Sequence, residues 1–113
     1  MVIKALEAAD ALAADGISAE IVDPRTLVPL DLDTILGSVG RTGRLVVVDE
    51  CHRSCGVGAE ISALVAEFAF DALRAPIKRV ATLDVPIPFS PPLEAFVEPT
   101  TMKILDAVRS LLD

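Results

Sequence analysis

Apolar residues in the stretch 2–14, VIKALEAADALAA, recur at Val2, Ile3, Leu6, Ala9 and Leu12. This spacing puts them on one face of a helix, and Asp15-Gly16 supplies the stop. The next stretch, SAEIVD at 18–23, predicts a short strand; Pro24 and Pro29 then bracket RTLV and exclude a continuing helix. Asp31 is placed to cap a brief helix with Leu32, Ile35, Leu36 and Val39 on one face, ended by Gly40. RLVVVDE, 44–50, is a continuous β-branched run of the kind found in strands covered on both faces.

From Gly58 to about Ala69, Ile61, Leu64, Val65 and Phe68 return at helical intervals, with Glu60 in the first turn where a carboxylate favours the helix dipole. Ala75-Pro76 introduces IKRVATL, where Ile77, Val80 and Leu83 predict another strand. The stretch 84–99 holds five of the eight prolines and is expected to be a long loop without regular structure, of a length that usually serves a function or a partner. A threonine cap then opens TTMKILDAVRSLLD, a helix with Met102, Leu105, Val108 and Leu112 on one stripe and Ile104 and Leu111 beside it.

Helix, strand, short helix, strand, helix, strand, loop, helix is the order of right-handed crossovers on a mostly parallel sheet, an α/β fold. Three strands make that sheet thin, and the first helix has no strand before it. One or two N-terminal strands are therefore expected to come from elsewhere, either ahead of this sequence or on another chain.

Composition changes the picture in three ways. A chain of 113 residues is one domain, and with no Trp, no Tyr and 4 Phe its core must be built from Ala, Val, Leu and Ile. Seventeen acidic against ten basic side chains, a net charge of −7, argue against a nucleic-acid partner, which needs clustered Lys and Arg. No apolar run approaches a membrane span and the N-terminus lacks the order of a signal peptide, so no membrane partner and a cytoplasmic location are expected. A hydrophobic fraction of 52% leaves apolar surface to spare, which points to an oligomer or a neighbouring domain.

The densest candidate chemistry is DECHRSCGVGAEI, 49–61, which holds both cysteines and the single histidine. Cys51, His52 and Cys55 could ligate a metal, but structural zinc wants four protein ligands and no second cluster exists in the sequence. They could cycle a disulfide, although intracellular thiols usually stay reduced, or supply a nucleophile, although adjacent side chains point apart in extended structure. The remaining reading is a strand-to-helix loop. Gly56 and Gly58 could cradle a phosphate at the helix start, yet they lack the third glycine of a dinucleotide fingerprint and the Lys-Ser/Thr pair of a P-loop, and close packing of backbone on the sheet explains them without a ligand. Asp23 and Arg25 sit at the end of a predicted strand, where a local salt bridge and an interdomain contact are both open.

Taken in order, SAEIVDPRTLVPLD, TGRLVVVDE, GVGAEI, LRAPIKRV and DVPIPFSPPLE resemble the C-terminal domain of the beta subunit of thiamine-diphosphate-dependent 2-oxoacid dehydrogenases, the family of the pyruvate, branched-chain 2-oxoacid and acetoin enzymes. The likeness runs over nearly the whole chain and extends more distantly to the last domain of transketolases. It implies one transketolase C-terminal-like domain over 1–113, with a three-layer α/β/α fold, a mostly parallel sheet and one or two strands and a further domain ahead of Val2.

For chemistry, the resemblance implies no catalytic, cofactor-binding or metal-binding residue in this chain. Thiamine diphosphate and magnesium belong to other domains of the parent enzyme, so the isolated chain is expected to be inactive. Its implied role is assembly with an alpha subunit and a second beta subunit, together with docking of a lipoyl acyltransferase core. The interface residues expected from the loops and the resemblance together are Arg25, His52, Arg53, Arg74, Phe89, Phe96 and Asp113. Arg74 departs from the acidic residue common before the Ala-Pro pair, a sign change that removes an attraction to basic partner residues, so either the chain docks a different partner or docking falls to other residues such as Glu67, Asp71 and Asp113. The alternatives are a free-standing self-associating interaction module and a small thiol redox protein using Cys51 and Cys55.

Overall fold

A computed structural model describes residues 1–112. Five α-helices run over Val2–Ala14 (α1), Leu32–Thr42 (α2), Val57–Phe68 (α3), Pro91–Val97 (α4) and Thr101–Arg109 (α5). Two strands, Val46–His52 (β1) and Lys78–Thr82 (β2), pair in parallel with Val46 opposite Lys78 and Val48 opposite Val80. A short 3-10 turn at Phe70–Ala72 joins α3 to the approach of β2.

Alternation along β1 divides the core into two faces. Val46 and Val48 pack with Val80 against Ala8 and Leu12 of α1 and Ile104 and Leu105 of α5. Leu45 and Val47 turn the other way, to Ile35 and Val39 of α2 and Ile61 and Val65 of α3. The expected three-layer α/β/α arrangement is thus present, with the strand run covered on both faces.

Local chemistry sets the helix bounds. Asp31 accepts from the Thr34 amide at 3.1 Å, and Thr100 accepts from that of Lys103 at 3.2 Å, each supplying an acceptor for an otherwise unpaired donor in the first turn. The hydroxyl and amide of Thr34 also hold the Asp31 carboxyl below the usual carboxylate range. α2 passes through Gly40, where an end was expected, and stops at Gly43, whose φ of 70° is the left-handed cap conformation.

Several other expectations are corrected. Residues 18–23 are not assigned as a strand, because among the described residues no backbone hydrogen bond joins them to a neighbour. The described sheet consequently has two strands, not three. The proline-rich stretch is not wholly irregular: Pro91 and Pro92 occupy the first two positions of α4, where the missing N–H is an orphan in any helix. Periodicity also misplaced parts of the buried faces. Ile3, Leu6, Phe68, Met102 and Leu112 are exposed, while Ala8, Ile104 and Leu111 are buried.

Candidate functional site

The carboxyl ends of β1 and β2 converge on one surface, the edge where open α/β sheets usually carry their function. β1 ends in the loop 53–56 and β2 in the segment 83–90. Thr82, fully buried, donates its hydroxyl to Glu50 O at 2.7 Å, and its own carbonyl accepts from the Arg53 amide at 2.9 Å. Ser54 bridges the two loops, giving its amide to Asp84 Oδ1 at 2.9 Å and its hydroxyl to Asp84 Oδ2 at 2.6 Å. His52 Nε2 lies 3.0 Å from Val85 O, and Arg79 Nη1 donates to Arg53 O at 2.9 Å. These bonds turn two loops into one platform.

The Ser54 bonds hold the Asp84 carboxyl below the usual carboxylate range, with smaller help from the charges of His52 and Arg53. Because the folded-state value is the lower one, this group favours the folded loop at neutral pH and stops doing so as pH falls through that lowered value. Acid titration followed by NMR is expected to release the Ser54 amide from exchange protection below the ordinary carboxylate range. In Asp84→Asn this acid-dependent release should be absent; an unchanged titration would remove Asp84 as its cause.

The cysteine cluster resolves into a loop. Both thiols are exposed and unlinked. Asp49, helped by desolvation and by Glu50, raises the Cys51 thiol above its ordinary value, which keeps the less reactive protonated form at neutral pH. Among the described residues no group of three or more His, Cys, Asp or Glu is arranged to hold a metal ion. Cys55 is the one described non-glycine residue with positive φ, at 59°, a conformation that costs a side chain strain. Gly56 follows because a Cβ there would lie 2.5 Å from His52 O, so it is the loop's own backbone, not a ligand, that demands glycine. At Gly58 the corresponding Cβ would lie 3.4 Å from Val47 Cγ1, an ordinary van der Waals contact, so packing on the sheet does not by itself demand glycine at that position.

Replacing Cys55 by glycine removes strain at the cost of unfolded-chain entropy, and the expected outcome is a stability unchanged or raised by up to about 1 kcal/mol. Thermal unfolding reads it. A loss of 2 kcal/mol or more, by the same scale, would show that the thiol itself holds the loop.

The residues expected at an interface fall into two groups. At the carboxyl edge, His52 and Arg53 are exposed on the platform and Phe89 is fully exposed at 102%. Arg25 is also exposed and donates Nε to Asp23 Oδ2 at 2.6 Å, a local pair worth little in stability. Phe96, 68% exposed on α4, has the Lys103 ammonium 5.9 Å from its ring centroid. Arg74 lies at the opposite, amino edge, where its amide donates to Gly43 O at 2.8 Å and its side chain runs over Gly43. Asp113 lies outside the described residues.

Two features escaped the sequence reading. Ser54 and Asp84 are thirty positions apart, and no local pattern announces their pairing. Asp49 Oδ1 accepts from the Cys51 amide at 3.1 Å, whereas Oδ2 is buried without a partner among the described residues. An acidic residue directly after the apolar run 45–48 is the signal that could have drawn notice to it.

The model for "Transketolase, C-terminal domain" matches residues 1–104. Among curated proteins, the chain is 54% identical over 112 residues to the beta subunit of acetoin:2,6-dichlorophenolindophenol oxidoreductase of Cupriavidus necator, covering 99% of this chain and 33% of that protein. It is 48% identical over 108 residues to the Bacillus subtilis protein of the same name, covering 96% and 32% respectively. With the pyruvate dehydrogenase E1 component subunit beta of Rickettsia bellii it shares 45% over 107 residues, covering 95% and 33%. The chain thus spans about a third of the length of these relatives. Among solved structures, a split-gene transketolase described as an inactive beta4 tetramer superposes with a TM-score of 0.83 at 31% identity, over 97% of this chain and 35% of that one. The family match extends over residues 1–104 and the superposition over 97% of the chain, and the chain belongs to the transketolase C-terminal domain family.

Proposed function

We propose that residues 1–113 are the C-terminal assembly domain of a 2-oxoacid dehydrogenase beta subunit of the pyruvate or acetoin type. The observation that carries this is the apolar surface of the segment 83–97. Val85, Ile87, Phe89, Leu93 and Phe96 are all exposed there, between 41% and 102%, beside the Ser54-Asp84 platform. Pro86 and Pro88 flank Ile87, and Pro88 precedes Phe89, which limits the freedom that binding would have to remove. Such a patch on an otherwise acidic chain fits a protein surface rather than a small polar substrate. The buried, unpartnered Asp49 Oδ2 adds a second need, for a donor contributed across that edge.

In this reading the partners are an alpha subunit and a second beta subunit. Thiamine diphosphate, which would supply the decarboxylating carbanion chemistry when bound, sits with its magnesium outside these residues. The loop does not fit a diphosphate: Ser54 N is already taken by Asp84, Cys51 N by Asp49 and Ala59 N by Gly56 O, and the nearby carboxylates oppose an anion. A lipoyl acyltransferase contact belongs at the amino edge, where Glu67, Asp71 and Arg74 are exposed. Among the described residues no helix is long and apolar enough to cross a membrane.

A graft tests the proposal. Residues 1–113 replace the matching third of the Cupriavidus necator beta subunit, which is mixed with its alpha subunit, thiamine diphosphate, magnesium, acetoin and 2,6-dichlorophenolindophenol. The graft is expected to turn over and the isolated chain is not. Turnover by the isolated chain, or none by a graft that folds and assembles, contradicts the proposal.

A further inference from the structure

Cys51 is the last residue but one of β1, and Cys55 stands in the loop just before α3, with both thiols free and exposed at the carboxyl edge. The chain between them doubles back. A Cβ on Gly56 would lie 3.2 Å from Cys51 Cβ and 2.5 Å from His52 O, so the returning arm touches the strand it has just left. The Cys51 sulfur feels the Asp49 charge most strongly, which raises the thiol, but it also lies close enough to the Val57 amide to be drawn the other way. The Cys51 side chain thus rests against residues 56 and 57.

Cys55 is bonded to that arm, one peptide unit of about 3.8 Å from Gly56. Its φ of 59° is the left-handed conformation, which turns the chain sharply at this residue. A disulfide spans Cα atoms about 4.4–6.8 Å apart, a separation open to the neighbour of a residue already in contact with Cys51.

The residues between the two cysteines are held in place. Arg53 donates its amide to Thr82 O at 2.9 Å and receives Arg79 Nη1 on its carbonyl at 2.9 Å, while Ser54 gives both its amide and its hydroxyl to Asp84. A loop anchored in its middle brings its two ends together at a spacing set by the fold, not by chance encounter.

We infer that Cys51 and Cys55 form a redox-sensitive clip: a low-molecular-weight disulfide oxidises the pair to a Cys51–Cys55 bond within the loop, and that bond stiffens the Ser54-Asp84 platform. The Cys55 thiolate attacks one sulfur of the small disulfide, forming a mixed disulfide and releasing one small thiolate. The Cys51 thiolate then attacks Cys55 Sγ, closes the ring and releases the second. Two electrons pass to the small disulfide, and the two protons lost by the cysteines end on the two small thiols released. Asp49 keeps Cys51 protonated, which makes Cys55 the leading nucleophile and Cys51 the resolving one. Excess small thiol reverses both steps.

The closed ring encloses Ser54, whose bonds to Asp84 join this loop to the segment after β2. Oxidation therefore removes freedom from the residue that ties the two loops together. The inference stands on loop geometry and is independent of the enzyme reading.

The test places the chain in mixtures of reduced and oxidised glutathione, quenches it by alkylation and reads intact mass and mapped peptides. The expected product is a monomer about 2 Da lighter with both cysteines protected, at a ratio of internal to mixed disulfide at least about tenfold above that of the same chain in urea. Exchange of the Ser54 amide should slow at least about threefold in the oxidised chain, and not in Cys51→Ser or Cys55→Ser treated alike. Glutathione adducts without ring closure, linked dimers alone, or a ratio no higher than in urea would show that the fold holds the sulfurs apart and would overturn the clip. An internal disulfide that leaves Ser54 exchange unchanged or faster would overturn its action on the platform.

Discussion

Phe89→Asp is expected to weaken assembly of the grafted beta subunit at least about thirtyfold, the effect of losing a central aromatic anchor of about 2 kcal/mol or more. The melting temperature of the isolated chain should stay where it is, because Phe89 is fully exposed and supports nothing within residues 1–112. That separation makes the substitution informative. A core residue would move both quantities and a bystander neither. Concentration-dependent sedimentation reads the first and thermal unfolding the second. Unchanged assembly would remove the proline-rich segment from the interface.

Leu12→Ala is expected to produce the largest loss of stability in the isolated chain. Leu12 is 1% exposed and joins α1 to Val80, Ile104 and Leu105. Truncation there removes buried methyl groups and leaves a cavity, a change that costs about 3 kcal/mol. Set against a total of about 5–15 kcal/mol for a typical domain, with this one at the lower end for want of strands, the variant should keep only about 2 kcal/mol and melt roughly 10–20 °C lower. Urea denaturation measures it. A loss below about 1 kcal/mol would mean that α1 is not packed on the sheet as described.

Local patterns made most of the frame legible. The caps at Asp31 and Thr100, the β-branched run before Asp49 and the helical spacing of Ile61 and Val65 are all encoded within a few residues of where they act. The stretch 18–23 shows the opposite case. Its apolar and polar pattern is local, but a strand is defined by its neighbour, and no pattern within SAEIVD can report whether one is present. α4 was hidden by its own start, since Pro91 and Pro92 read as breakers until their position in the first turn is known.

Burial was legible as a period and not as a direction. Phe68 and Met102 keep helical spacing with buried residues yet face outward, because the covering surface is set by tertiary packing. The candidate site was half visible in the same sense. Its two thiols, Cys51 and Cys55, drew attention to the right loop, whereas the contacts that shape that loop come from Asp84, Val85 and Arg79, far along the chain. Long-range pairing of a serine with a carboxylate leaves no spacing to read.

The central claim is that these residues assemble rather than catalyse, and sedimentation velocity of the graft mixed with its alpha subunit tests it most directly. At micromolar concentration the mixture is expected to run as a complex containing both subunits. A graft that is folded by circular dichroism but sediments apart from the alpha subunit, under conditions where the unmodified beta subunit associates, would contradict the account.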